Sequence, residues 1–435
     1  MLLILTSSLT NRLRYIASLL LADLLGVEFS FTSGVEEYLA YEGPKISYIR
    51  QPPAGSPFIE PAGLLFETVI YPHELSVHFR DGIPVLFEST DPRSALSFDP
   101  FAASFYLVSR YEEYHAHKKD KYGRFLVMES IAHQNNFLHL PVVNLWAEVL
   151  GNFLQRHYPG FVLRRPAFRF VPTIDIDHAF AYRYRPLTRT LGGLGRSFLH
   201  GHFRDAVQRI CVLAGNTKDP YDNYSFIREV HEMHGLNPLY FILFADYGGD
   251  DNNIPVGNHS FHKLLRELDR HKGVGIHPSL SSNKHYLKLE AEYSGLCEVL
   301  HRDIRFSRQH FLKIALPKTY RSLIQLGITD DFSMGYASHS GFRAGIAVPF
   351  PFFDLSRNEA TTLKIHPVTL MDVTFKDYLR LTPEKSLEMI RENVNTIKSV
   401  NGEFVSLWHN ESLSDTGRWH GWRKVYKEML RIALA

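Results

Sequence analysis

From Phe168 onward the chain alternates short runs rich in β-branched and aromatic residues with longer segments whose apolar residues recur at helical spacing. No other feature constrains the fold as tightly. The strand-like runs are RFVPTID (169–175), NPLYFILF (237–244), VGIHPS (274–279), ALPK with its flank (315–318) and EFVSLWH (403–409). Between them lie the helical patterns YSFIREVHEMHG, FHKLLRELDRH and LKLEAEYSGLCEVLHRD. A β/α succession of this kind predicts parallel units, arranged as an open α/β sheet or a barrel.

Upstream, the texture changes at Asp99-Pro100. Asp99 stands where an N-cap belongs and Pro100 at the first helical position, ahead of FAASFYLV. The first 95 residues read as a separate small α/β unit of strand-like runs (LLILT, VEFSFT, KISYI, LLFETVI, VLFES), with no catalytic constellation and a structural or docking role. Residues 15–29 are apolar, but Asp23 interrupts them and the run is too short to span a bilayer. They read as an amphipathic helix with Asp23 toward water. HKKDKYGR (117–124) reads as a solvated loop. The expected division is 1–95 and 96–435, with the core of the second part at about 165–415.

Composition narrows the function classes. With 435 residues, 45% hydrophobic and 22% charged, the chain can bury the cores of two or three domains. Its 48 Lys and Arg against 46 Asp and Glu leave a net charge of +2, so no overall field recruits nucleic acid or an anionic membrane. The 31 Phe and 22 Tyr exclude intrinsic disorder. Cys211 and Cys297 form no C-x-x-C pattern, which fits a reducing compartment and a cytoplasmic protein that is not integral to a membrane.

In parallel β/α folds, reactive groups gather at the C-terminal ends of strands. Four predicted strand ends carry them. Asp175 and Asp177, two apart on VPTIDIDHAF, point the same way, which favours a metal site or a raised-pKa base over loop-capping carboxylates. His277 ends VGIHPS and reads either as a ligand or as a hydrogen-bonded structural imidazole. Arg308 and His310 alternate on RFSRQH, where Arg308 can hold a carboxylate ionised or simply make a surface ion pair. His409 ends EFVSLWH in the position of a general acid. LGGLGR (191–196) lacks the ending of a Walker motif. YGGDDNN (247–253) lacks the closing Glu of an EF-hand and reads as a polar turn. Neither H-E-x-x-H nor G-x-S-x-G occurs.

These strand ends, in this order, resemble the polysaccharide deacetylases of carbohydrate esterase family four, and more closely a bacterial branch that carries an extra N-terminal domain. The resemblance implies a distorted (β/α) barrel and a divalent metal, zinc foremost. Thr173-Ile174-Asp175-Ile176-Asp177 matches the family's T-F-D-D with the second Asp moved on by one. Asp175 is then the base and Asp177 a ligand, though the roles could be exchanged. His277 matches the first His of H-[ST]-x-x-H, while Ser281 stands at the second. His310, in the segment matching R-x-P-Y-G, is assigned as the replacement ligand. Thr329-Asp330-Asp331-Phe332-Ser333 loosely matches the acidic fourth motif, and Leu407-Trp408-His409 the final L-x-x-H.

By that resemblance the protein removes acetyl groups from an N-acetylated sugar or glycan precursor, soluble or lipid-linked. Asp175 serves as base, Arg308 keeps it ionised, and His409 protonates the leaving amine. Ser281, Asp331, Trp408 and Asn410 are the expected substrate contacts. Tyr182, Tyr184, Phe332, Tyr336 and Trp408 suit sugar stacking and are equally compatible with a large core. Two alternatives remain: an amide hydrolase on a non-glycan substrate, and a catalytically silent glycan-binding barrel.

Overall fold

The fold is described from a computed structural model covering residues 1–249 and 251–435, with Phe198 described by its backbone alone. The N-terminal region is built on a three-stranded parallel sheet, in which β1 (Leu2–Thr6) lies between β2 (Phe29–Thr32) and β3 (Lys45–Tyr48). Helix α1 (Asn11–Ala17) follows β1 and continues through Ser18–Leu24 with wider i→i+5 turns, leaving Asp23 exposed as the pattern predicts. Helix α2 (Val35–Ala40) covers the sheet, and a small hairpin joins β4 (His78–Arg80) to β5 (Ile83–Val85). LLFETVI is not a strand. Leu64–Phe66 forms a single tight turn that buries Leu64 and Leu65 in the core, and an apolar run alone does not distinguish these outcomes.

Helix α3 (Pro100–Val108) starts where Asp99 predicts. One carboxylate oxygen accepts the N–H groups of Phe101 and Ala102 at 3.0 Å, and the other accepts Tyr48 Oη of β3. One turn, α4 (Ile131–Gln134), and the long α5 (Val142–His157) complete this region. It packs tightly on the rest of the chain. Tyr15 and Phe105 meet Phe353, each with ring centroids 5.0 Å apart, and the Glu113 carboxylate takes both Nε and Nη2 of Arg343 at 2.9 and 2.7 Å.

The second region is a nine-stranded sheet. Its strands are β6 (Arg169–Ile176), β7 (Leu239–Ile242), β8 (Val274–Ile276), β9 (Phe306–Ser307), β10 (Asp330–Met334), β11 (Phe350–Asp354), β12 (Glu359–Pro367), β13 (Leu370–Met371) and β14 (Glu403–His409). Their order is β11-β12-β10-β9-β8-β7-β6-β14-β13, and every pair is parallel except β11–β12. The sheet curls on itself: His366 of β12 donates to Glu403 of β14 at 2.6 Å and to Asp330 of β10 at 2.9 Å. Helices α6 (Leu187–Leu199), α7 (Phe203–Leu213) and α8 (Tyr224–Glu232) follow β6; α9 (His259–Leu268) follows β7, and α10 (Tyr286–Leu300) follows β8. Then come α11 (Lys318–Gln325), α12 (Pro383–Ser399) and α13 (Trp422–Leu434).

This is the α/β, β/α-alternating architecture expected, as a curled sheet with one antiparallel edge strand. The ALPK segment is not a strand. The short β9 precedes it, and the chain then tightens into a turn at His310–Leu312 before α11. LGGLGR lies inside α6.

Candidate active site

Because β6 to β9 are adjacent and parallel, their C-terminal ends align, and the side chains just beyond them share one rim. β14, on the other side of β6, pairs His409 directly with Asp175. Asp175 of β6 and Asp177, one residue past its end, continue the two-residue period on the same side. These residues, with His178, His277 and His310, line a cavity of about 210 Å³.

Asp177, His277 and His310 each offer a ligand atom, all within 4.8 Å of one another. His277 Nδ1 donates to the carbonyl of Arg308 at 2.5 Å, and His310 Nδ1 donates to the Asp251 carboxylate at 3.0 Å. A carbonyl and a carboxylate can only accept, so each ring has its Nε2 free for the cavity. His277 Nε2 stands 3.2 Å from Asp177 Oδ1 and His310 Nε2 stands 3.6 Å from Asp177 Oδ2. Asp177 Oδ1 is nevertheless a buried oxygen with no hydrogen-bond partner among the described residues. Two imidazole nitrogens and an unsatisfied carboxylate facing each other at these distances make a donor set that fits a divalent cation, and N/N/O ligation suits zinc.

Asp175, only 2% exposed, is held from behind. Its Oδ1 accepts Arg308 Nη1 at 2.6 Å, while Arg308 Nε donates to Phe332 O and the guanidinium lies 4.3 Å from the centre of the Phe241 ring. Opposite, His409 Nδ1 donates to Asp372 Oδ1 at 2.8 Å, and its backbone N–H donates to Oδ2 at 2.8 Å. Ser412 Oγ also donates to Asp372. His409 Nε2 therefore faces the cavity, 3.7 Å from Asp177 Oδ2.

The charges reinforce one another. Burial opposes protonation of His409, but Asp372 at its back and Asp177 and Asp175 in front outweigh it and push its pKa up to about 10. Burial likewise opposes the His310 cation, and Asp177 and Asp251 overcome it, raising its pKa to about 9. Burial disfavours the Asp177 carboxylate, yet the imidazoles of His310, His277 and His409 hold its pKa well below the usual range. With protein groups alone, protons stand where a cation would bind.

Six of the ten site residues predicted from the sequence come together here: Asp175, Asp177, His277, Arg308, His310 and His409. The four expected substrate contacts do not line the cavity. Trp408 is fully buried on the opposite face of β14, donating to Met429 Sδ and meeting Trp422 and Tyr426 edge-on, because alternation turns it away when Leu407 and His409 face inward. Asp331 is fully buried and takes the hydroxyls of Ser307 and Ser333. Asn410 is a brace whose amide donates to His178 O at 2.9 Å. Ser281 faces Ser279 and donates its N–H to Asp251. Phe332 and Tyr336 are core residues, and Tyr182 lies under Arg209 rather than at the cavity. The aromatic side chains that do line it are Phe311, Tyr378 and Trp419.

Sequence reasoning missed Asp251 and Asp372. Asp251 lies in the YGGDDNN turn set aside as merely polar. Asp372 follows the two-residue β13, and an acidic residue directly after the apolar Leu370–Met371 pair was the available signal. Arg124, from the loop read as solvated, also lines the cavity, donating to Phe311 O at 3.0 Å and Tyr378 Oη at 3.2 Å.

Residues 2–159 match a family described as a family of unknown function, DUF7033. No curated protein matches the sequence. Among solved structures, one from Mycobacterium smegmatis described as a polysaccharide deacetylase is similar at 15% identity and a TM-score of 0.41, covering 62% of this chain and 85% of its own. PuuE allantoinase is similar at 9% identity and a TM-score of 0.38, covering 64% and 86%. At these scores the chemistry has to be read from the site itself. No helix among the described residues is long and apolar enough to cross a membrane.

Proposed function

We propose that the protein is a metal-dependent hydrolase that removes the acetyl group from an N-acetylated sugar or glycan precursor. One observation carries this reading. A three-residue donor set, an arginine-held carboxylate and a carboxylate-paired histidine converge on one cavity. Asp177, His277 and His310 hold the ion, which when bound supplies Lewis acidity for a hydrolytic water and an acyl oxygen. Asp175 accepts the proton of the attacking water. The Arg308 guanidinium pairs with that carboxylate and fixes its direction. His409, carrying its proton under the influence of Asp372, donates from Nε2 to the departing amine nitrogen. The products are acetate and a free amine.

A second reading, hydrolysis of a non-glycan amide, gains from one observation: the aromatic residues expected to stack a sugar, Trp408 and Phe332 among them, are buried away from the cavity. The deciding experiment loads the full chain with Zn²⁺ or Co²⁺ and follows acetate release from N-acetylglucosamine oligomers and phosphorylated N-acetylhexosamines, with simple acetamides alongside. Acetate from sugars alone, lost in Asp175→Asn and in metal-free protein, supports the deacetylase. Turnover confined to non-sugar amides moves the assignment to the second reading. No turnover of either, with metal bound, defeats both.

A further inference from the structure

The excursion between β6 and α8 carries an inverted pair of helices. A helix on a water-soluble protein turns its aliphatic stripe inward. Here α6 and α7 turn theirs outward: Leu187, Leu191, Leu199, Val207, Ile210 and Leu213 are between 46% and 86% exposed. On α6 the exposed leucines recur at four- and eight-residue steps, and on α7 the exposed residues lie three apart, so each set follows one side of its helix. Among the described residues the buried positions are Thr190 on α6 and Ala206 and Val212 on α7. Exposed aliphatic residues along one side of each of two helices that pack together mark an interaction site.

The charge of the same segment identifies its partner. Residues 183–213 contain six arginines, at 183, 185, 189, 196, 204 and 209, against the single carboxylate of Asp205. None of the six forms an ion pair within 4.0 Å among the described residues. Helices of 13 and 11 residues are too short to span a bilayer. Outward aliphatic stripes beside the exposed Arg196 and Arg204, in a segment where arginines outnumber carboxylates six to one, suit helices lying in the plane of an anionic lipid surface.

The hairpin is also fixed beside the cavity. Asp219 accepts the N–H groups of Ala181, Tyr182 and Arg183 at 2.8–3.0 Å, pinning the chain a few residues after Asp177. Arg189 donates to the carbonyls of Asn252 and Asn253 and stacks 3.9 Å from the centre of the Tyr247 ring, joining the hairpin to the loop that carries Asp251.

We propose that α6 and α7 form a docking face for an anionic membrane surface, holding the rim of the cavity against it. On the function proposed above, this fits an acylated sugar presented on a lipid carrier. The test is flotation of the full-length protein with vesicles of phosphatidylcholine alone or with a third phosphatidylglycerol, at low and high salt. Binding is expected on the anionic vesicles, at least about tenfold weaker on neutral ones and weakened by salt, since each arginine near such a surface contributes a factor of about five.

A Leu191→Ser/Leu199→Ser/Ile210→Ser variant is expected to lose vesicle binding while keeping its far-UV dichroism, melting temperature and metal content. An Arg196→Glu/Arg204→Glu variant is expected to lose the preference for anionic lipid. Equal partitioning of the parent and the triple-Ser variant would overturn the proposal. So would a dimer in light scattering that the triple-Ser variant abolishes, without vesicle binding, since the face would then belong to a second copy. Failure of every hydrolysis assay would leave this result standing, because flotation does not depend on turnover.

Discussion

Replacing Asp251 by Asn tests the proposed metal centre away from its ligands. Asp251 Oδ1 accepts His310 Nδ1 at 3.0 Å and Leu280 N at 2.9 Å, and Oδ2 accepts Ser281 N at 3.3 Å. An asparagine has one acceptor oxygen. If that oxygen keeps His310, the amide nitrogen must face the Ser281 N–H, donor against donor. If the amide flips, His310 Nδ1 loses its acceptor and the tautomer that frees Nε2 is no longer fixed. Losses of this kind cost about 10- to 100-fold in metal affinity, or about 1.4 to 2.8 kcal/mol. The assay is competition for Zn²⁺ or Co²⁺ against a chromophoric chelator, with the melting temperature as a check on folding. His310→Ala should cost more than Asp251→Asn, and Ser281→Ala should leave affinity within about twofold, since Ser281 makes its link to Asp251 through the backbone. Because the His310 pKa lies at about 9, metal must displace its proton, so affinity should fall by about tenfold for each pH unit below that value. Parent-like affinity in Asp251→Asn would refute the orienting role, and parent-like affinity in His310→Ala would remove His310 from the ligand set.

Three further outcomes follow from the same structure. Asp372→Asn removes the charge behind His409 and should lower its pKa, moving the alkaline limb of the pH–rate profile down and cutting kcat by about 10²-fold or more; an unmoved limb would detach His409 from proton donation. Burial disfavours the Glu113 carboxylate, but Arg343 and Arg110 outweigh it and hold its pKa at about 2, so its stabilisation is complete above about pH 4.5 and lost as pH falls toward 2. That difference is worth about 3 kcal/mol, and urea titrations of Glu113→Gln across this range should show a flatter acid limb than the parent. For His366, burial lowers the pKa and its bonds to Asp330 and Glu403 raise it to a net increase. Its contribution is therefore full below about pH 6.5 and declines as pH rises through the elevated value, a dependence His366→Phe should abolish in the same titrations.

The sequence made some parts of this molecule legible and hid others for physical reasons. β6, β8 and β14 are short runs rich in β-branched and aromatic residues with Asp175, Asp177, His277 and His409 at or just past their C-terminal ends, so both the strands and the chemistry there could be read. Strands β10 to β13 were not read as strands; β13, with two residues, carries no periodicity to read. Trp408 was readable and misread: the period of two that aims His409 at the cavity turns its neighbour to the opposite face. Asp251 and Asp372 escaped because each acts through a histidine that is 59 or 37 residues away, and polar turns give no local sign of such a partner. The net charge of +2 was accurate but averaged away the arginine-rich stretch between 183 and 213.

On the proposed ligand set, Ser281 and His310 illustrate how such a centre would depart from a motif and still keep its shape. In the resembled family both histidines follow one strand, four residues apart. Here the turn after β8 keeps only His277, while His310 follows β9. The two strands are adjacent and parallel, with Ile276 paired to Ser307, so a side chain just past either one reaches the same rim. The His310 N–H bonds back to Pro278 O at 3.2 Å, bringing the two loops together, and the ring centroids of His277 and His310 lie 5.0 Å apart. A ligand supplied from β9 needs its own orienting partner. The loop after β7 provides it in Asp251, whose other oxygen takes the backbone N–H of Ser281. Ser281 thus contributes a main-chain donor to the carboxylate that holds His310, the replacement ligand of the proposed centre. A Ser281→His substitution should therefore fail to rescue His310→Ala, because the backbone at that position is committed to Asp251 and the new imidazole would start from the place of a hydroxyl that faces Ser279. Restored metal affinity in the Ser281→His/His310→Ala double variant would show that this rim accepts a ligand from either loop.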